Sequence, residues 1–343
     1  MRALHYPDYT DLNPYQSLMF AGLKENGIDI FAFRGPSRSL LKKVVTEKAD
    51  VLHLHWINMA VTNGSLPHAL ASMLTVYVSL ILWRLKGTRI LWTVHNLNNH
   101  GRYRVRLERF HARMIGALSH RLLVHGQSAV EIAAAHLSVK PGKISVAYHG
   151  NYDGTLSAQP ASSKQDGPAQ DGIKVLFAGR IEPYKGVPDL IEAFSALDGT
   201  HALRIAGKVS DATLRAEIET RAAEDPRIHC DLRFLPDEEL EDMMGWSDVI
   251  ALPYHDIFTS GSLMLALTAG RPVIAPRIGL IPEYVSEDVA FFYDPQDETG
   301  LQSALDTAAT STNLVTRAAR ARDRADSFDW STICSVIVQA YKN

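Results

Sequence analysis

Cysteine is nearly missing from this 343-residue chain. Cys230 and Cys334 stand far apart, with no C-x-x-C and no Cys/His spacing, which excludes a disulfide framework and a structural zinc site. No Asp-x-Asp occurs anywhere, so nothing marks a metal site, and neither metal nor cofactor is expected. The opening residues, MRALHYPDY, hold no apolar core of signal-peptide length and read as a first strand, with no address for secretion. The one run that approaches membrane-spanning length, residues 66–85, is interrupted by Pro67, His68 and scattered Ser and Thr. Spanning needs about 20 well-apolar residues, so the expectation is a buried helix in a cytoplasmic protein. Acidic residues are scarce in the first half: residues 1–155 hold 18 Lys and Arg against nine Asp and Glu, a balance of +9, leaving −12 for the remainder. Such a split points to an anionic ligand or surface on the basic half, such as the inner face of the plasma membrane. Nucleic acid is the weaker reading, because no recognised binding motif accompanies the charge.

What is present is an ordinary globular composition, 46% hydrophobic and 21% charged. Surface-to-volume scaling divides a chain of this length into two cores of roughly 150 residues each. Short apolar runs at 3–6, 29–33, 51–55, 89–95, 121–125 and 144–148 alternate with helical patterns. After residue 172 the alternation resumes at 174–178, 202–206, 228–234, 249–252 and 272–275. Strands too apolar to have a wet face, alternating with helices, predict α/β domains with parallel sheets covered on both sides. The intervening segment, rich in Ser, Pro, Gly and Gln, reads as a linker. The expected organisation is a first domain at 1–155, a linker at 156–172, a second domain at 173–325 and a closing helix at 326–343.

The most specific stretch is VLFAGRIEPYKGVPDLIEAF, residues 175–194: a strand, a turn at Gly179, cations at Arg180 and Lys185, then an amphipathic helix. A departing diphosphate needs its charge neutralised, and Arg plus Lys at the C-terminal edge of a strand can supply that, while glycine admits close approach. A second stretch, ALPYHDIFTSGSLMLALTAGRPVIAP, starts a helix among small hydroxyl residues. There the N–H groups of a helix N-terminus, with Thr259, Ser260, Gly261 and Ser262, would hold phosphate. The other reading of those hydroxyls is simple N-capping.

These motifs, with FLPDEEL at 234–240, Pro253, AGRPVIA at 269–275 and Gly279…Pro282-Glu283, resemble in order the donor domain of group 1 glycosyltransferases of the GT-B fold. DVLHLHW at 50–56, WTVHN at 92–96 and Phe328-Asp329-Trp330 extend the likeness into the first half. The resemblance implies two Rossmann-like domains facing across a cleft. It implies a nucleotide-sugar donor on the second domain, with Glu283 in the donor site, an acceptor on the first, and a last helix that crosses back. The pattern of TSGS with NPYQ and YHGNY is closest to bacterial exopolysaccharide β-mannosyltransferases of the xanthan type. That favours GDP-mannose over a UDP-sugar as donor, a glycan or lipid-linked acceptor, and Asn13 and Tyr15 near that acceptor.

The family's acidic pair, seven residues apart, would fall near Ile257 and Leu265, and neither is acidic. A retaining mechanism is therefore disfavoured and inversion expected. Inversion needs a general base on the acceptor side. Asp11 after the first strand and His95 at the end of WTVH are the candidates, with Asp8 a weaker third. His53 and His55 alternate on an apolar strand and read as core or cleft wall rather than metal ligands. The segment 101–121, with Arg102, Arg106 and Arg109 among its cations, reads either as a membrane-docking basic helix or as a solvated face. The missing acidic pair also admits a catalytically silent subunit that binds nucleotide sugar or stabilises a partner.

Overall fold

The computed structural model describes every residue except 12, 58, 63, 98–103 and 156–171. The expected linker and Arg102 lie outside the described residues. The chain divides into two compact units, one formed by Met1–Gly150 with Asp329–Asn343 and the other by Asn151–Phe328.

The first unit runs β1 (Arg2–Tyr6), α1 (Pro14–Glu25), β2 (Asp29–Ala32), α2 (Ser37–Thr46), β3 (Val51–Leu54), α3 (Met59–Thr62), α4 (Leu66–Leu85), β4 (Arg89–Thr93), α5 (Val105–Leu118), β5 (Arg121–Val124), α6 (Ala129–Leu137) and β6 (Ile144–Val146). Its strands form one parallel sheet in the order β2-β1-β3-β4-β5-β6. Every residue of β3 is buried, as a strand covered on both faces requires. The chain's direction of travel reverses between β1 and β3, so the loops leaving their carboxyl ends diverge and open a crevice.

The second unit runs β7 (Lys174–Ala178), α7 (Val187–Ser195), β8 (Ala202–Ala206), α8 (Ala212–Ala223), β9 (Ile228–Asp231), α9 (Asp237–Trp246), β10 (Val249–Ala251), α10 (Gly261–Thr268), β11 (Val273–Pro276), α11 (Ile281–Tyr284), β12 (Ala290–Tyr293), α12 (Gly300–Ala309) and α13 (Leu314–Asp326). Its parallel sheet has the order β12-β11-β10-β7-β8-β9, with the reversal between β7 and β10. The strand β12 had no counterpart in the sequence reading; AFFY is four residues long and too short to show a period. The last helix, α14 (Trp330–Lys342), belongs to the first unit and packs on α1. Gly150 is the reason Trp330 fits there: a Cβ at that glycine would stand 2.3 Å from the indole.

One expectation is corrected. Helix α4 is not a buried helix: Ala69, Met73, Val76, Leu80 and Trp83 face the core, but Leu66, Leu70, Leu74, Ile81 and Leu85 are exposed. The sequence conceals this because α4 is apolar on all sides, and a hydrophobic stripe with no polar stripe opposite gives no sign of which face meets protein.

Candidate functional site

In the second unit the residues singled out in sequence gather at the β7/β10 reversal, where open α/β sheets place their ligands. Strand β7 ends at Gly179, held by a hydrogen bond from its N–H to the Ala206 carbonyl at 3.0 Å. Its φ of 133° is a conformation that L side chains rarely adopt. A Cβ there would meet Ser262 Oγ at 3.1 Å and Lys185 Nζ at 3.8 Å. The glycine thus clears a space onto which an ammonium and a hydroxyl converge. Lys185 closes a tight turn, Pro183–Lys185, and is buried, its Nζ 5.1 Å from the centre of the Tyr254 ring. The next residue, Gly186, has φ 62°, and a Cβ on it would stand 2.0 Å from the Pro253 carbonyl oxygen. That contact locks the Lys185 turn against the segment leaving β10.

Opposite lies the start of α10. Ser260 caps it, accepting from Leu263 N–H at 3.1 Å, and also reaches the Tyr254 hydroxyl at 3.3 Å. Gly261 and Ser262 occupy the first helical positions, where backbone N–H groups have no acceptor within the helix and the dipole favours an anion. Thr259 Oγ1 is buried without a hydrogen-bond partner, which is costly in an interior unless a ligand supplies one. Gly279, with φ 54°, packs on the Ile257 carbonyl, and Leu280 N–H donates to Phe258 O at 3.1 Å, so the loop carrying Glu283 is tied to the Thr259 segment. Arg180 is different: its side chain is 70% exposed and paired with Glu182 at 2.6 Å. Arg271 of the AGRP motif is a core residue, donating to the carbonyls of Met244 and Gly245. Its motif spacing gave no means of telling a structural arginine from a ligand-binding one.

In the first unit a cavity of about 280 Å³ opens at the β1/β3 reversal, lined among others by Tyr6, Tyr9, Arg34, Trp56, His68 and Ser72. Asp11 stands beside it as the ion-pair partner of Arg34 at 3.1 Å, and the guanidinium lies 4.7 Å over the Tyr9 ring. Sequence reading missed Arg34, Tyr9 and Trp56, since a lone arginine or aromatic after a strand carries no motif. Asp8 accepts from the N–H and hydroxyl of Thr10, shaping the same loop. Asn13 caps α1 by accepting from Tyr15 N–H at 3.0 Å. Tyr15 is buried with its ring edge-on to His95 and Trp330, so capping and core packing account for both residues. Arg106 and Arg109 lie exposed on α5, away from the loops of that cavity in sequence.

Behind the cavity lies a feature that no spacing reveals. Six histidines, His5, His53, His55, His95, His125 and His149, are buried at the carboxyl ends of the strands. Five of them form one hydrogen-bonded chain whose direction is fixed at one end. The Ala147 carbonyl can only accept, so His125 Nδ1 donates to it at 2.8 Å and His125 Nε2 must accept from His95 Nδ1 at 3.1 Å. His95 Nε2 then accepts from His55 Nδ1 at 3.2 Å, and His55 Nε2 from His5 Nδ1 at 3.2 Å. His5 Nε2 accepts a hydrogen bond from the Tyr341 hydroxyl at 3.2 Å, Tyr341 accepts from His53 Nδ1 at 2.8 Å, and His53 Nε2 accepts from Thr93 at 2.7 Å. One set of neutral tautomers satisfies every bond. Burial lowers all six, with neighbouring histidines adding repulsion at every one but His125: His53 and His149 to about 3, His125 to about 4, and His5, His55 and His95 well below the ordinary value. The ring nitrogens of His5, His53 and His55 cluster within 4.8 Å of one another, but each is already engaged in this chain. His95 also stacks on Trp56 at 4.1 Å, and with both ring nitrogens bonded it presents no lone pair to a hydroxyl.

Residues 172–311 match the family model described as "Glycosyl transferases group 1". Among curated proteins the chain is similar to a GDP-mannose:glycolipid 4-beta-D-mannosyltransferase of Xanthomonas campestris pv. campestris, 29% identical over 269 residues, 77% of this chain and 73% of that protein. It is 28% identical to a D-inositol 3-phosphate glycosyltransferase of Streptomyces avermitilis over 67% of this chain and 54% of the relative. Among solved structures, Anabaena Alr3699/HepE in complex with UDP and glucose superposes with a TM-score of 0.72 at 16% identity, covering 100% of this chain and 99% of that one. The sucrose-phosphate synthase of Thermosynechococcus elongatus gives a TM-score of 0.73 at 18% identity, covering 99% and 98%.

Proposed function

We propose a specific reaction for this chain, which carries a group 1 glycosyltransferase domain at residues 172–311 on a GT-B fold: inverting transfer of mannose from GDP-mannose to a lipid-linked glycan in cell-surface polysaccharide synthesis. That it is a glycosyltransferase using a nucleotide sugar is the premise; donor, acceptor and stereochemistry are our reading. The observation that carries it is the convergence of Lys185, Ser262 and the first N–H groups of α10 on the space left by Gly179. Mannose and a glycolipid acceptor are supported by the likeness to the Xanthomonas enzyme, whose name specifies both. A UDP-sugar is the alternative donor.

In the proposed step the acceptor hydroxyl oxygen bonds to the anomeric carbon as the bond from that carbon to the diphosphate breaks. The electron pair leaves with the diphosphate, received by Lys185, Arg180 and the α10 N-terminus, with Thr259, Ser260 and Ser262 as hydroxyl partners and Glu283 toward the nucleoside. The hydroxyl proton passes to a base on the first unit. Asp11 suits that role better than His95, because its carboxylate is exposed beside an aromatic-walled cavity whereas His95 has both nitrogens engaged. Arg34, bonded to Asp11, would hold the carboxylate in place. Tyr9 and Trp56 offer faces for sugar rings, and Asn13 and Tyr15 hold the helix that follows the Asp11 loop. Incubation with GDP-mannose and a membrane glycolipid extract, followed by NMR of the product linkage, tests the scheme. A β-mannoside is expected; an α-mannoside would end the inverting reading, and transfer from a UDP-sugar alone would end the donor assignment.

A further inference from the structure

Helix α4 presents an unbroken apolar face to solvent. Leu74 is 64% exposed, and Leu66, Leu70, Val78, Ile81, Leu82 and Leu85 surround it on the same side, with no charge before Arg84. Of the helices packed against α4, α2 carries Val45, 86% exposed, and α5 carries Phe110, 53% exposed. Exposed apolar patches of this extent mark interaction surfaces. The charges around it are predominantly basic. Helices α2, α4 and α5 together carry Arg38, Lys42, Lys43, Arg84, Arg106, Arg109 and Arg113, against Glu108, which is buried, and Glu47 at the end of α2, which pairs with Lys43 at 3.1 Å.

We infer that this three-helix face is a docking surface for an anionic lipid bilayer, with α4 lying in the plane of the interface. Charge selects the occupant. A second copy of the chain would set Arg106 and Arg109 against their like or against other cations of the same face, whereas an anionic headgroup layer complements every cation and its acyl boundary accepts the leucines. Nucleic acid would satisfy the arginines and leave the leucines in water. Spanning is excluded by packing: Ala69, Met73, Val76, Leu80 and Trp83 hold the opposite side of α4 in the core. The inference rests on the glycolipid-acceptor reading for its biological sense. His68 and Ser72, which line the cavity beside Asp11, sit on this same helix, so docking would bring that cavity to the headgroup level.

The experiment is sedimentation of the full chain with phosphatidylcholine vesicles, with and without phosphatidylglycerol. Binding should require phosphatidylglycerol and weaken as salt rises. Arg106→Gln and Arg109→Gln should each lower partitioning about fivefold, and Leu74→Glu more than about tenfold. In Leu74→Trp the added emission should be quenched by brominated lipid, which reports insertion even where the acidic variant misfolds. Indifference to phosphatidylglycerol, wild-type binding by Leu74→Glu, or a dimer that Leu74→Glu dissociates would each overturn the inference. Nucleoside diphosphate binding measured on the same preparations keeps the two readings apart: its loss would defeat the transferase assignment and leave the docking result standing.

Discussion

The buried histidine chain makes the first unit sensitive to acid in a calculable way. A neutral histidine in this chain donates through one nitrogen and accepts through the other, and adding a proton sets two donors face to face. In the unfolded chain each imidazole titrates near 6.5, whereas in the folded unit His53, His125 and His149 titrate at about 3 to 4 and His5, His55 and His95 well below the ordinary value. The unfolded state therefore binds more protons, and stability is fully present above about pH 6.5 and declines as pH falls toward the folded values. At about pH 5 each of His53, His125 and His149 costs about 2 kcal/mol, already a sizeable share of the stability of a domain, and the lowered His5, His55 and His95 act in the same direction. The slope should exceed that of a single titrating group, about 1.4 kcal/mol per pH unit. Tryptophan emission is a suitable assay, because Trp56, Trp83, Trp92 and Trp330 lie in the first unit and only Trp246 in the second. Urea melts at stepped pH should show a steep loss between about pH 6 and 4.5. A slope of one proton, or a first unit still folded at about pH 4, would refute the tautomer chain.

Five substitutions test the remaining structure. Lys185→Ala should lower turnover about 10²–10³-fold, and Arg180→Ala less, since Arg180 is exposed and already paired with Glu182; steady-state rates decide the order. Asp11→Asn should lower turnover about 10²–10⁴-fold with donor affinity unchanged, whereas His95→Ala should act chiefly on stability, a contrast read from rates and melts together. Gly186→Ala, forced to φ 62° with its Cβ against the Pro253 carbonyl, should destabilise the second unit by at least about 2 kcal/mol in chemical denaturation.

Much of this arrangement is legible in the sequence where short-range physics governs it. Lys174–Ala178 and Ala202–Ala206 were read to the residue because strands buried on both faces are continuous apolar runs bounded by turns. Others were read too long: the run 228–234 forms a strand only to Asp231, because its partner β8 ends at Ala206, opposite that residue. The turn that carries Gly179 and Lys185 into α7 was legible because glycine, cation and helix start fall within one short stretch. The order of strands was not, since pairing is set by packing between distant segments. The cavity of Tyr9, Arg34 and Trp56 was missed for the same reason, its walls coming from different loops. The histidine chain joins residues as far apart as His5 and Tyr341, and only the sheet brings them together.

The central claim is that the β7/β10 reversal of the second unit receives a nucleoside diphosphate, and titration calorimetry tests it most directly. GDP and UDP are titrated in turn into the wild-type chain and into Lys185→Ala. The account predicts one saturable site, tighter for GDP than for UDP, with affinity falling sharply in the variant while its melting profile stays that of the wild type. Absence of binding by either nucleotide, or equal affinity in Lys185→Ala, would contradict it.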